Sequence, residues 1–231
     1  QRAHLVLAVD RAESVSLRRW AEELLLDTSA VSGVSVPAQG LTVGDPLVRH
    51  QLLGREVLSH PLGFFQTNYW LTEPLLRHIA SVVSEETPTS VLDLYCGVGV
   101  HSLLAGNGAT STTGVDSDPN AIALARLNAE AAGRVATYER ASVEGYLARG
   151  SHPHCDAAIV NPPRAGCRAG VVEGIAKLTP HCICLVCCSA EAHVRDLRAF
   201  QELGYKATAH TAFDMFPFSR FVENVTMLFP Q

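Results

Sequence analysis

From residue 67 onward the chain switches regularly between two spacings of apolar residues. Leu71, Leu75, Leu76, Ile79 and Val83 recur at helical spacing and are closed by Thr87-Pro88, which predicts a helix. Ser90 to Tyr95 is short and strand-like, 99 to 105 helical, 111 to 116 a strand, and 118 to 132 an alanine-rich helix. The order continues with strands at 135 to 140 and 156 to 160, a helix at 169 to 178, a strand at 182 to 187 and a helix at 190 to 202. Two closing strands, 206 to 213 and 222 to 229, are separated by a short turn and are expected to pair antiparallel. Strand and helix taking turns predict an α/β fold with a doubly wound, mostly parallel seven-stranded sheet, and ligands bound outside the carboxyl ends of its strands.

The first sixty residues follow another pattern. Strands at 5 to 9 and 31 to 36 flank a helix at about 15 to 26, with Ser14 or Ser16 as its cap. A Gly- and Pro-bearing stretch from Pro37 to Pro46 and a strand pair ending near His60 follow. We therefore expect a small α+β appendage over residues 1–60, a boundary at 60 to 62, and the main domain over 61–231.

With 231 residues, 47% of them apolar, the chain can bury a full core. A formal charge of −5 gives no overall basic footprint, so phosphates would have to meet a local patch or a further module. No membrane span or secretory segment is visible, which together with seven cysteines, an odd number, predicts a soluble cytoplasmic protein in a reducing compartment. The chain begins at Gln1 and runs almost at once into a strand, as a piece of something longer would.

Candidate chemistry falls at strand ends. Asp93-Leu-Tyr-Cys-Gly-Val-Gly places Gly97 and Gly99 where a strand turns into a helix, and Asp116 ends the next strand, where a carboxylate can hold both ribose hydroxyls. The third glycine of a dinucleotide site is absent, and Asp93 would repel a pyrophosphate. S-adenosylmethionine, with its sulfonium and ammonium, suits such an acidic rim better. Capping of the following helix falls to Ser117 or Asp118.

Asn161-Pro162-Pro163-Arg164 ends another strand, with Arg164 where amine methyltransferases carry an aromatic residue. Cys188 ends the strand after it and precedes a helix, whose dipole favours a thiolate. Cys187 should point the opposite way. Cys182, Cys184, Cys187 and Cys188 are dense enough to raise a metal cluster, but they alternate within an apolar run, which suits buried thiols better and leaves no metal expected here. Glu223, reached through the rigid Asp214-Met215-Phe216-Pro217 segment, offers a carboxylate base. Phe64-Phe65-Gln66-Thr67-Asn68 combines aromatic bulk with amides able to read a heteroaromatic edge.

In this order the motifs resemble the RNA 5-methyluridine (uracil-C5) methyltransferases, over about residues 60 to 231. The resemblance implies a class I, Rossmann-like methyltransferase fold and S-adenosyl-L-methionine as cofactor. It implies Gln66, Asp93, Tyr95, Gly97, Asp116 and Asn161 as cofactor contacts, Cys188 as nucleophile and Glu223 as base. Phe64, Phe65 and Arg164 are the expected substrate contacts. Asn161, where transfer-RNA enzymes of the family carry Asp, points to the branch acting on 23S ribosomal RNA. The first sixty residues then look like part of the family's RNA-binding domain. An N-terminal barrel and iron-sulfur cysteines of some members have no counterpart in this sequence. Ser189-Ala190 stands where Asn-Pro usually follows the nucleophile, and Phe221 where a His precedes the base, which bears on substrate identity. The competing readings are a class I enzyme methylating an amine or small molecule, and a non-catalytic RNA-binding module.

Overall fold

The computed structural model describes residues 2–9, 14–105, 109, 111–149 and 152–231. They form two compact units, Gln1–Phe65 and Gln66–Gln231, where the sequence places the boundary at 60 to 62.

In the first unit β1 (Ala3–Val6) runs parallel to β2 (Val31–Val36), and β2 pairs antiparallel with β3 (Leu41–Gly44). The helix between β1 and β2, α1 (Ser14–Asp27), packs on β2 and β3. Ser14 is the first helical residue and Ser16 lies inside the helix, so Ser16 is no cap; the residues ahead of Ser14 lie outside those described. The expected irregular stretch contains a 3-10 turn at Pro37–Gln39 as well as β3. A hairpin of β4 (Val48–Leu52) and β5 (Arg55–Ser59) follows, turned by Leu53 and Gly54, both at positive φ.

The second unit opens with α2 (Tyr69–Ser84), capped by Asn68, whose side chain accepts from the Leu71 amide at 3.2 Å. Then come β6 (Ser90–Leu94), α3 (Val100–Ala105), β7 (Ser111–Asp116), α4 (Pro119–Ala131), β8 (Thr137–Arg140) and α5 (Val143–Leu147). The remainder is β9 (Ala157–Val160), α6 (Val171–Lys177), β10 (Cys182–Cys187), α7 (Ala190–Glu202), β11 (Tyr205–Phe213) and β12 (Glu223–Pro230). The seven strands lie in the order β11-β12-β10-β9-β6-β7-β8, parallel except where β12 pairs antiparallel with β10 and β11. This is the class I methyltransferase fold expected from the alternation of elements. α5 is an addition: at five residues it is too short to show a period.

Burial on both faces explains why the central strands read as unbroken apolar runs. Ala157 and Ile159 of β9, with Cys182, Cys184 and Val186 of β10, pack against Leu75, Ile79 and Val83 of α2. Their neighbours Ala158, Val160, Ile183 and Leu185 face the other way, onto α5, α6 and Phe200 of α7. Because β6 sits between β7 and β9, chain order reverses there, and the carboxyl ends of β6, β7, β9 and β10 share one edge. Among the described residues no helix is long and apolar enough to cross a membrane.

Candidate active site

The loop after β6 is built by left-handed backbone. Tyr95, Gly97 and Gly99 have φ of 61°, 54° and 81°. At Gly97 a Cβ would meet nothing within 4 Å, so the loop is open above that residue. At Gly99 a Cβ would fall 2.7 Å from the Tyr138 hydroxyl, so only glycine fits. Asp116, at the end of β7, is fixed by two backbone amides: Gly97 N–H donates to Oδ2 and Asp118 N–H to Oδ1, each at 2.9 Å. The carboxylate thus stands beside the open loop with its orientation set. Asp118, not Asp116, caps α4, accepting from Asn120 N–H at 2.8 Å.

Asp93 departs from the expected rim position. All five residues of β6 are buried, and Asp93 lies beneath the loop with no exposed surface. Its Oδ2 accepts from the Ser102 amide at 2.9 Å and from the Ser102 hydroxyl, while Oδ1 has no partner among the described residues. Burial pushes this carboxyl up to about 7. The Tyr95 hydroxyl is likewise unpartnered, and its pKa is raised by burial. Asn161 follows β9 and bonds His101 Nε2 at 3.2 Å. His101 is buried and held down at about 4, hence neutral. Neither His101 nor Ser102 was singled out from sequence; a His-Ser pair opening an otherwise apolar helix was the available signal.

Cys188 and Glu223 come together across the sheet. β10 and β12 pair with Cys187 opposite Asn224, so the next residues outward are Cys188 and Glu223. Val222 N–H donates to the Cys188 carbonyl at 3.1 Å, and the Asn224 amide donates to the carbonyls of Cys187 and Val222 at 3.2 and 2.6 Å. Six of the seven cysteines are buried, Cys187 completely; Cys188 is half-exposed, and none is in a disulfide. Ser189 caps α7 directly after it.

The helix dipole does not settle the state of the Cys188 thiol. Its pKa is raised, first by burial and then by the negative charge of Glu223, while the positive charge of Arg164 acts in the opposite direction. Arg164 is positioned by aromatic rings: its guanidinium carbon lies 4.5 Å from the Phe221 centroid and 5.7 Å from that of Phe216. Glu223 is 4% exposed, and burial pushes its carboxyl up to about 7. The edge therefore joins a soft nucleophile, a cation and a carboxyl that exchanges its proton near neutrality.

The Phe-Phe-Gln-Thr-Asn segment is divided between the units. Phe65 stacks on His50 with centroids 3.8 Å apart, and Phe64 is 70% exposed, both within the first unit. Gln66 begins the second and is half-buried.

Residues 72–177 match a family model described as Methyltransferase small domain. Over 185 residues the chain is 34% identical to the tRNA (uracil(54)-C(5))-methyltransferase of Pyrococcus abyssi, a match covering 80% of this chain and 43% of that protein. An uncharacterized RNA methyltransferase of Streptomyces avermitilis is 33% identical over 192 residues, covering 81% and 44%. The chain is a homologue of RNA methyltransferases. The crystal structure of the P. abyssi tRNA (uracil-54, C5)-methyltransferase, in complex with S-adenosyl-L-homocysteine, superposes with a TM-score of 0.75 at 27% identity, covering 97% of this chain and 55% of that one. The chain spans less than half the length of these two sequence relatives.

Proposed function

We propose that the chain is the catalytic part of an S-adenosyl-L-methionine-dependent RNA (uracil-C5)-methyltransferase. The observation that carries this reading is the meeting of Cys188, Glu223 and Arg164 at the strand edge that also holds the glycine loop and Asp116. An amine methyltransferase needs neither a thiol nor a near-neutral carboxyl beside it.

The loop suits the cofactor. Asp116 presents an oriented carboxylate to ribose hydroxyls, and the open backbone at Gly97 allows close approach. Gln66, Tyr95 and Asn161 are the further contacts in this reading, with Asp93 supporting the loop from below. When bound, the cofactor supplies an electrophilic methyl group carried on a sulfonium.

Uracil C5 is a poor nucleophile, and the residues correct this. The Cys188 thiolate, its charge balanced by Arg164, adds to C6; the C5=C6 π electrons move toward O4, leaving C5 electron-rich. Once C5 has gained its methyl group, Glu223 takes the C5 proton, the C5=C6 bond re-forms, and the C–S electron pair returns to Cys188. A carboxyl near 7 serves this step well, since it is substantially ionised at neutral pH and still basic. Attack on the ring face requires a base turned out of its stack. The first unit, with Phe64 and Phe65, is then part of the RNA-binding surface, and the reduced cysteines suit a cytoplasmic enzyme.

The RNA itself has two candidates. Asn161 favours ribosomal RNA through the family resemblance, whereas the P. abyssi relative is a tRNA methyltransferase. The test is tritium release from ribosomal and transfer RNA labelled at uridine C5, with the cofactor added. C5 methylation releases tritium in step with methyl incorporation. Methyl incorporation without tritium release would select the amine reading, and absence of both would select the non-catalytic one.

A further inference from the structure

Beside the catalytic edge the second unit carries a groove of ≈ 710 Å³, of whose lining the chemistry above uses only Arg164. The first turn of α2 contributes Tyr69 and Trp70, and the loop before β12 contributes Phe216, Pro217 and Phe221. Trp70 is 82% exposed and Tyr69 50%, their rings meeting edge to face at 5.2 Å. Arg164 is the single charged residue in the lining, which contains no carboxylate.

The loop is built at some conformational cost to display a further ring. Ser219 N–H donates to the Phe216 carbonyl at 3.1 Å, closing a four-residue turn with Pro217 second and Phe218 third. Phe218 has φ 64°, in the slot that normally takes Gly or Asn, and its side chain is fully exposed. The Ser219 hydroxyl donates to the Phe216 carbonyl at 2.7 Å and accepts from the Phe221 amide at 3.2 Å, locking that turn. Neither turn geometry nor core packing calls for an aromatic side chain there. Arg220 follows, its guanidinium carbon 5.4 Å from the Phe221 centroid.

Exposed aromatic faces, a cation and no anion match a single-stranded nucleotide, whose base stacks and whose phosphate needs positive charge. The groove is also continuous with the catalytic edge, because Arg164 and Phe221 belong to both. We propose that Trp70 and Phe218 are stacking residues that hold an unpaired base next to the target uridine, with Arg164 and Arg220 serving the linking phosphate. This inference rests on the RNA reading above and adds a specificity site to it.

The test uses the 231-residue chain and a short fluorescent single-stranded RNA containing one 5-fluorouridine, intact or with an abasic nucleotide on one side of it. Trp70→Ala and Phe218→Gly are each expected to weaken binding by about fivefold to a hundredfold, the range for a lost base stack. Phe218→Gly suits positive φ, so its loss cannot be blamed on misfolding. An abasic site on the correct side should weaken wild-type binding by a similar factor and have little further effect in Trp70→Ala. Val135→Ala, at an exposed position before the far edge strand β8, should bind as wild type.

Wild-type affinity in both aromatic variants would overturn the groove proposal. So would an abasic penalty that persists undiminished in both. Loss of self-association in the variants with RNA binding intact would reassign the patch to a protein interface and overturn it as well. The two readings separate cleanly: Cys188 adduct formation with wild-type affinity in the variants sinks the groove and keeps the chemistry. Groove-dependent binding without adduct keeps the groove and sinks the chemistry.

Discussion

Glu223→Gln should stabilise the protein while disabling it. The carboxyl is 4% exposed and titrates at about 7 because burial penalises its charge. The displacement from the ordinary 4.5, at about 1.4 kcal/mol per pH unit, means that holding the ionised form in the folded state costs up to about 3 kcal/mol. The sign follows from proton counting. Below pH 4.5 the carboxyl is protonated folded and unfolded, and nothing is lost. Between 4.5 and about 7 only the folded state keeps the proton, so stability falls as pH rises; above about 7 the full cost is present. Glutamine has nearly the same shape and no charge. Urea unfolding followed by circular dichroism across this range should show the variant's advantage growing from near zero to about 3 kcal/mol and then levelling. A difference independent of pH would refute the argument. The same variant should lose about a hundredfold or more in tritium release. It should also accumulate a methylated RNA–protein adduct on ordinary uridine, because the carbon–sulfur bond cannot break until the C5 proton leaves.

Three further predictions concern the edge and the loop. Cys188→Ala should abolish methyl transfer, whereas Cys187→Ala, which removes a fully buried sulfur one residue away, should retain it with a stability loss of about 1–2 kcal/mol, measurable in the same urea titration. Gly99→Ala adds a Cβ 2.7 Å from the Tyr138 hydroxyl at φ 81°; a destabilisation of about 1–3 kcal/mol is expected, with weakened S-adenosylhomocysteine binding by calorimetry. Asp116→Asn can accept from only one of the Gly97 and Asp118 amides and loses the charge, so the same calorimetry should show binding weakened about tenfold or more, with a stability loss of about 1 kcal/mol from the amide left unpaired.

The sheet was legible because strands covered on both faces leave a pattern that little else produces, as in Ala157–Val160 and Cys182–Cys187. The short α5 left none, since five residues make too few turns for a period to emerge. Asp93 shows where strand-end reasoning stops. Its place in the loop motif suggested a rim, but it lies under α3, where Ser102, nine residues later, takes one of its oxygens; no local signal announces that pairing. Cys188 stands at a strand end as its sequence position predicts, but the dipole of the following helix is not the whole of its environment: burial and the charge of Glu223, neither visible locally, raise its pKa. That Glu223 is its neighbour depends on the register between β10 and β12, and that Arg164 rests on Phe216 and Phe221 depends on a loop from another part of the chain. Such long-range juxtapositions are products of topology and carry no local periodicity.

The central claim is that the Cys188 sulfur bonds to a pyrimidine ring during the reaction. Incubation with S-adenosylmethionine and RNA substituted with 5-fluorouridine tests it directly, since fluorine cannot leave as a proton and the adduct persists. Mass spectrometry of the digested complex should find methylated fluorouridine attached to the peptide containing Cys188. Methylated product released with no adduct at that residue, or an adduct that survives in Cys188→Ala, would contradict the account.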